Sequence, residues 1–252
     1  MISFDVITIF PNIFNSYLKE SLIARAEEKK LIKINVHNLR KWTNDNHQTV
    51  DDKPFGGGLG MVLKVEPIFE AVSALKIGST LKSKIKNKNA KLKTKVILFT
   101  PRGEKFNQKL ANKISKLDQV IFICGRYEGV DERVAEHIAD IEISIGDYDL
   151  MGGELPAMVL IESISRIVPG VLGKEQLLKE RITKGGGFIE YAQYTRPEIF
   201  SPSQILRGKN WEGKLKKLGR ARPETWSVPK VLLSGNHKNI EEWKSDHSKV
   251  IE

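Results

Sequence analysis

Val120-Ile121-Phe122-Ile123-Cys124-Gly125-Arg126-Tyr127-Glu128-Gly129 decides the fold. Five apolar, mostly β-branched or aromatic residues run into a glycine-bounded turn. A short continuous apolar run of this kind is a strand covered on both faces. The same pattern occurs on either side. Val96–Thr100 runs into Pro101-Arg102-Gly103, and Ile141–Ile145 runs into Gly146-Asp147-Tyr148-Asp149-Leu150-Met151-Gly152-Gly153-Glu154-Leu155-Pro156. Helical patterns separate and follow these strands, over Phe106–Leu117, Val130–Ala139 and Glu154–Val168, the last ended by Pro169-Gly170. Strands of about five residues alternating with helices predict βαβ units, hence an α/β fold with a parallel sheet and helices on both faces. In such a sheet the three glycine turns gather at the carboxyl edge, where ligands bind, and glycine lets a backbone approach a ligand closely.

Upstream, Ile2–Phe10 and Ile32–Val36 read as further strands. A helix is expected from Pro11-Asn12 to about Lys30, with Phe14, Leu18, Leu22 and Ile23 on one face. Trp42–Gly60 reads as loop. Downstream, 174–187 is charged, ends in Gly185-Gly186-Gly187, and reads as a linker. A final helix is expected near Asn236, with Ile240, Trp243 and Val250 to one side. The expected organisation is an α/β domain over 1–173, a linker over 174–190, and a small, mostly helical unit over 191–252.

The 252 residues are 40% apolar, enough for a sizeable core, and no apolar run approaches the length of a membrane span. No signal-type apolar segment opens the chain, since Asp5 interrupts the first run, and a soluble, cytoplasmic protein is expected. A single cysteine, Cys124, excludes an intramolecular disulfide framework and a cysteine-rich zinc site; lying inside an apolar strand, it reads as core. The five histidines have no ligand spacing. A G-x-G-x-x-G turn, a phosphate-binding G-x-x-x-x-G-K-[ST] loop and a G-x-S-x-G elbow are all missing, which disfavours NAD oxidoreductases, P-loop NTPases and serine hydrolases.

Formal charge is +10 and the pI about 9.5, which suits a polyanionic partner. Lys76–Lys95 holds eight lysines and no acid, and reads as a solvated loop. Arg207–Lys230 interleaves basic residues with Trp211 and Trp226, a pattern that suits phosphate contacts and base stacking.

Taken together, residues 124–133 (CGRYEGVDER), 144–157 (SIGDY…GGELPA), 169–173 (PGVLG), 194–197 (YTRP), 232–237 (LLSGNH) and 51–58 (DDKPFGGG) resemble the bacterial tRNA (guanine-N1)-methyltransferases of the SPOUT class, in order and over nearly the whole chain. The resemblance implies a deep trefoil knot, a homodimer with active sites between subunits, and methyl transfer from S-adenosylmethionine to N1 of guanosine 37 of tRNA. It assigns donor binding to residues 1–173 and tRNA binding to residues 191–252. It implies donor contacts at Thr100, Pro101, Gly125, Tyr127, Glu128, Ile145, Gly146, Tyr148, Leu150, Gly152, Gly153 and Pro156, with Asp147 and Asp149 in the same loop. It places Arg166 where the family has an arginine that orients the target guanine, and puts Asp51, Asp52 and Arg196 among the RNA-binding positions. Lys214, Lys216, Lys217 and Arg220, in a block inserted relative to the family pattern, are expected to grip the anticodon stem in place of helices that many members carry further on. The family is also associated with a divalent ion; Mg²⁺ would favour oxygen ligands such as Glu128 or a linker carboxylate.

The general base departs from the pattern. The family has Asp or Glu in the linker. Counting from Pro169-Gly170 puts Arg181 at that position, and arginine cannot accept a proton. Counting back from Tyr194 makes Glu180 the nearest carboxylate, with Glu175 further off. Glu180 is the expected base; the alternative is an RNA-binding member of the class that has lost catalysis.

Overall fold

The computed structural model describes residues 1–85, 92–173, 181–183, 185, 187–201 and 225–251. They form two compact units, Met1–Gly187 and Phe188–Ile251.

In chain order the first unit runs β1 (Ile2–Thr8), α1 (Ser21–Glu28), β2 (Ile32–Asn38), the two-residue strands β3 (Asp51–Asp52) and β4 (Val62–Leu63), α2 (Val65–Ile85), β5 (Thr94–Lys105), α3 (Gln108–Ile114), β6 (Gln119–Ile123), α4 (Glu132–His137), β7 (Ile141–Ser144) and α5 (Glu154–Ser165). Five strands make one parallel sheet in the order β2-β1-β6-β5-β7. The predicted α/β class and parallel sheet are therefore correct. Alternation along each strand feeds two cores. Phe4, Val6, Ile97, Phe99, Val120, Phe122 and Cys124 face α1, α3 and α5, and the rings of Phe4, Phe122 and Phe99 stack in series at 6.0 and 5.4 Å. Ile7, Ile9, Val96, Leu98, Ile121 and Ile123 face α2 and α4. Every residue of β6 is buried, which is why its sequence is almost continuously apolar.

This order sets β6, β5 and β7 side by side, so their glycine turns share one edge. β5 pairs with β7 up to Phe99↔Ile143, leaves the ladder, and returns with Glu104↔Ile143 and Lys105↔Ser144. Gly103 makes the return possible: a Cβ there would stand 2.6 Å from the backbone of Glu142 and Ile143.

Three expectations are corrected. The continuous helix over Pro11–Lys30 is instead two 3-10 turns, Pro11–Phe14 and Tyr17–Lys19, followed by α1; Glu20 is extended and Ser21 has φ +56°, which breaks the helical path. The lysine-rich stretch from Lys76 is not loop at its start, because α2 runs on to Ile85; alanine, leucine, isoleucine and lysine are all tolerated in helices, and Ile68, Ala71 and Val72 anchor the first turns. Residues 86–91 lie outside the described residues. Val250 belongs not to the last helix but to a strand, described next.

The second unit comprises β8 (Phe188–Tyr191), β9 (Ile199–Phe200), β10 (Trp226–Ser227), α6 (Lys230–Leu233), α7 (His237–Asp246) and β11 (Ser248–Ile251). β8 pairs with β11 and β9 with β10, both antiparallel. These ladders were not foreseen, and β8 begins inside the stretch expected as linker. Asn236 caps α7 by accepting from the Asn239 N–H at 3.3 Å. Tyr194 packs edge-on to Trp243, which stacks on His247, and Phe200 stacks on Trp226. None of the described residues of this unit is fully buried. Among the described residues no helix is long and apolar enough to cross a membrane.

Candidate functional site

The turns that follow β5, β6 and β7 enclose a cavity of about 230 Å³. Of the residues expected to hold a donor, all but Asp147 line it; the Asp147 carboxylate instead accepts from Lys105 Nζ at 2.5 Å. Phe99, Arg126, Gly129, Ile143, Ser144 and Met151 also line it and were not anticipated. All but Ile143 adjoin an expected residue in sequence, but which neighbours turn inward depends on loop conformations that spacing does not reveal.

The loops are stitched together through their main chains. The Gly129 N–H donates to the Arg126 carbonyl at 3.0 Å, closing the turn after β6, where Tyr127 takes a left-handed φ of +60°. The Gly153 N–H donates to the Gly125 carbonyl at 3.0 Å, and Arg126 bridges Gly152 in antiparallel fashion. The loop after β7 thus crosses the end of β5 to reach the turn after β6. Gly153 is held so close that a Cβ would stand 2.7 Å from Cys124 Cα. Ser144 Oγ donates to the Gly146 carbonyl at 2.9 Å and the Tyr148 hydroxyl to the Ile145 carbonyl at 3.2 Å, shaping the third loop.

The lining combines apolar residues (Phe99, Pro101, Ile143, Ile145, Leu150, Pro156) with glycines and the exposed acidic residues Glu128 and Asp149. Such a cleft suits a flat heterocycle that also carries a positive charge. Beneath it, Glu154 is 1% exposed and accepts from Arg126 Nε at 2.9 Å and Thr8 Oγ1 at 2.6 Å. Cys124, buried beside them, has its thiol pushed well above the ordinary value by burial and by the Glu154 charge, against a smaller opposing effect of Arg126. It is a core residue, as read from its strand.

The loop bearing Asp51 and Asp52 is tied to the same turn. β3 pairs with β4, the Leu63 N–H donates to the Gly129 carbonyl at 3.0 Å, and the Glu128 N–H to the Met61 carbonyl at 3.1 Å. Between the two strands Phe55 and Leu59 are fully exposed.

Other expected residues stand apart. Arg166 is exposed at the C-terminal cap of α5 and does not line the cavity. Ten residues of helix separate it from Pro156, about 15 Å at 1.5 Å per residue. Arg181 is half-buried in the first unit and Arg196 exposed in the second. Glu175, Glu180, Lys214, Lys216, Lys217 and Arg220 lie outside the described residues. Among the described residues no three His, Cys, Asp or Glu side chains come together as a metal site.

A family model described as tRNA (Guanine-1)-methyltransferase TrmD matches residues 2–251. A tRNA (guanine-N(1)-)-methyltransferase of Dictyoglomus turgidum is 45% identical over 244 residues, covering 97% of this chain and 84% of the relative. One of Ruminiclostridium cellulolyticum is 42% identical over 245 residues, covering 97% and 90%. The crystal structure of a tRNA (m1G37) methyltransferase from Aquifex aeolicus superposes with a TM-score of 0.67 at 37% identity, covering 98% of this chain and 88% of that one.

Proposed function

The chain belongs to the tRNA (guanine-1)-methyltransferase family, and from that premise we propose that it methylates N1 of guanosine 37 in tRNA with S-adenosylmethionine as donor. The observation that carries this reading is the cavity built by three glycine turns within a family match spanning residues 2–251. No observation favours the non-catalytic alternative.

S-adenosylmethionine, when bound, supplies an electrophilic methyl group on a sulfonium centre. The lining is compatible with it: the glycine turns let main chain approach an adenosine, Ile145, Leu150 and Pro156 offer apolar surface, and Glu128 and Asp149 add acidic residues at the rim. The target N1 carries a proton at neutral pH. Transfer forms the N1–CH₃ bond, breaks the S–CH₃ bond, and needs a base for the N1 proton. Glu180 is the proposed base. Arg166 is the proposed cation near the guanine O6, where charge develops.

Arg166 lies about 15 Å along α5 from Pro156, which supports a site completed by a second copy of the chain. α5 also presents Leu155 and Val159, one turn apart and 57% and 42% exposed, beside the 88% exposed Met151. An apolar patch of this kind suits burial between subunits. The return of β5 to β7, and the crossing of its end by the loop after β7, support a threaded trefoil knot, because simple βαβ connections do not cross on one sheet edge. The excess positive charge supports tRNA as the polyanion.

The test is methyl transfer from labelled S-adenosylmethionine to tRNA transcripts with G or A at position 37. 1-Methylguanosine in the G transcript alone is expected. Donor binding without transfer would favour the non-catalytic reading, and Glu180→Gln with normal turnover would remove Glu180 as base.

A further inference from the structure

Glu154 stands where three distant segments meet. It opens α5, yet it is 1% exposed and both carboxylate oxygens are engaged. Oε1 accepts from Thr8, the last residue of β1 and 146 positions away. Oε2 accepts from Arg126, 28 positions away in the turn after β6. Thr8 Oγ1 also accepts from the Phe10 N–H at 2.9 Å, and the Arg126 guanidinium lies 4.8 Å over the Phe10 ring. The main chain of Arg126 in turn pairs with Gly152. Replacing a buried ion pair by apolar residues is often neutral or stabilising, so fold stability alone is a weak reason for this pair. Its position is more telling, directly under the two turns whose main chains wall the cavity.

We infer that Glu154 is a positioning residue: acting through Arg126 and Thr8, it clamps the turn after β6 to the loop after β7 and so sets the spacing of the main-chain groups that receive the methyl donor. The inference rests on the reading of the cavity as the donor site. A clamp of this kind acts on the donor only through the turns it joins, because neither Thr8 nor Glu154 lies on the cavity wall.

The experiment uses the full chain as Glu154→Gln, Thr8→Val and Thr8→Ser, with donor and tRNA KM measured separately and amide exchange of Gly153 followed without donor. Glu154→Gln and Thr8→Val are expected to raise the donor KM about tenfold or more, the scale of a hydrogen bond to a charged group. The tRNA KM should stay within about twofold, and Gly153 exchange should quicken. Thr8→Ser, which keeps the hydroxyl, should behave as wild type. Thr8→Val is nearly isosteric and carries the test if Glu154→Gln does not fold. Equal changes in both KM values, or an unchanged donor KM with a lowered Tm, would overturn the positioning role. Unchanged Gly153 exchange would overturn the clamp itself. Wild-type protein that binds no S-adenosylmethionine would overturn the donor-site reading instead, while the exchange arm still decides the clamp.

Discussion

Asp5 sits mid-strand in an otherwise apolar β1. It is 4% exposed and accepts from Asn35 and His37 at 2.9 Å and from Gln119 at 2.8 Å. Burial by itself would raise its pKa; the hydrogen bonds from His37, Gln119 and Asn35 and the nearby His37 ring outweigh it, so the group titrates below its ordinary 3.8. A lowered folded value means stability that is fully present above the unfolded value and lost as pH falls through the folded one. Asp5→Asn is therefore expected to cost about 1–3 kcal/mol at pH 7, with the gap to wild type narrowing below about pH 4. Urea unfolding at pH 7 and pH 3 checks this, and an equal gap at both would refute it. In the sequence Asp5 was only an interruption of an apolar run, because its three partners come from two other strands. Arg126 and Glu154 were hidden for the same reason: their pairing exists only once the end of β6 and the start of α5 meet. The glycine motifs were legible because a turn that must approach another backbone tolerates no side chain.

At the level of elements, strands were easier to read than helices. β5, β6 and β7 pack between helices, so their composition alone marks them. α1 fails the periodic reading because positive φ at Ser21 leaves no trace in an apolar pattern. α2 runs on into the lysine-rich stretch because lysine is a good helix former, so charge alone does not mark a loop there. α5 carries the clearest consequence. Its inward face, Ala157, Leu160, Ile161 and Ile164, packs on the sheet, while Leu155 and Val159 stay outside. Leu155→Glu with Val159→Glu is expected to turn a dimer into monomers on light scattering and to lower methyl transfer at least about tenfold, with Tm changed by only a few degrees. A monodisperse monomer of full activity would refute the two-copy site.

For the whole molecule, net charge identified a class of partner but not a surface. Part of the lysine-rich stretch belongs to α2, so the total of +10 is spread over elements with different roles. The block over 207–230 remains the proposed grip on the anticodon stem. Neutralising Lys214, Lys216, Lys217 and Arg220 together should weaken tRNA binding. It should also reduce the slope of log affinity against log salt by up to about three, at about 0.7–0.9 for each phosphate no longer neutralised. An unchanged slope would move the RNA-binding surface elsewhere.

The pairing of Thr8 with Glu154 also orders events during synthesis. β2, one neighbour of β1, is complete at residue 38, but the other, β6, begins at Gln119, and the carboxylate that receives the Thr8 hydroxyl is 146 residues away. At roughly 5–20 residues per second on a ribosome, the interval is about 7–30 s. Until β6 arrives, one long side of the first strand is an open edge, and edges of that kind recruit other chains. The bond from Thr8 to Glu154 can therefore form only after β6, which covers that edge, has been made.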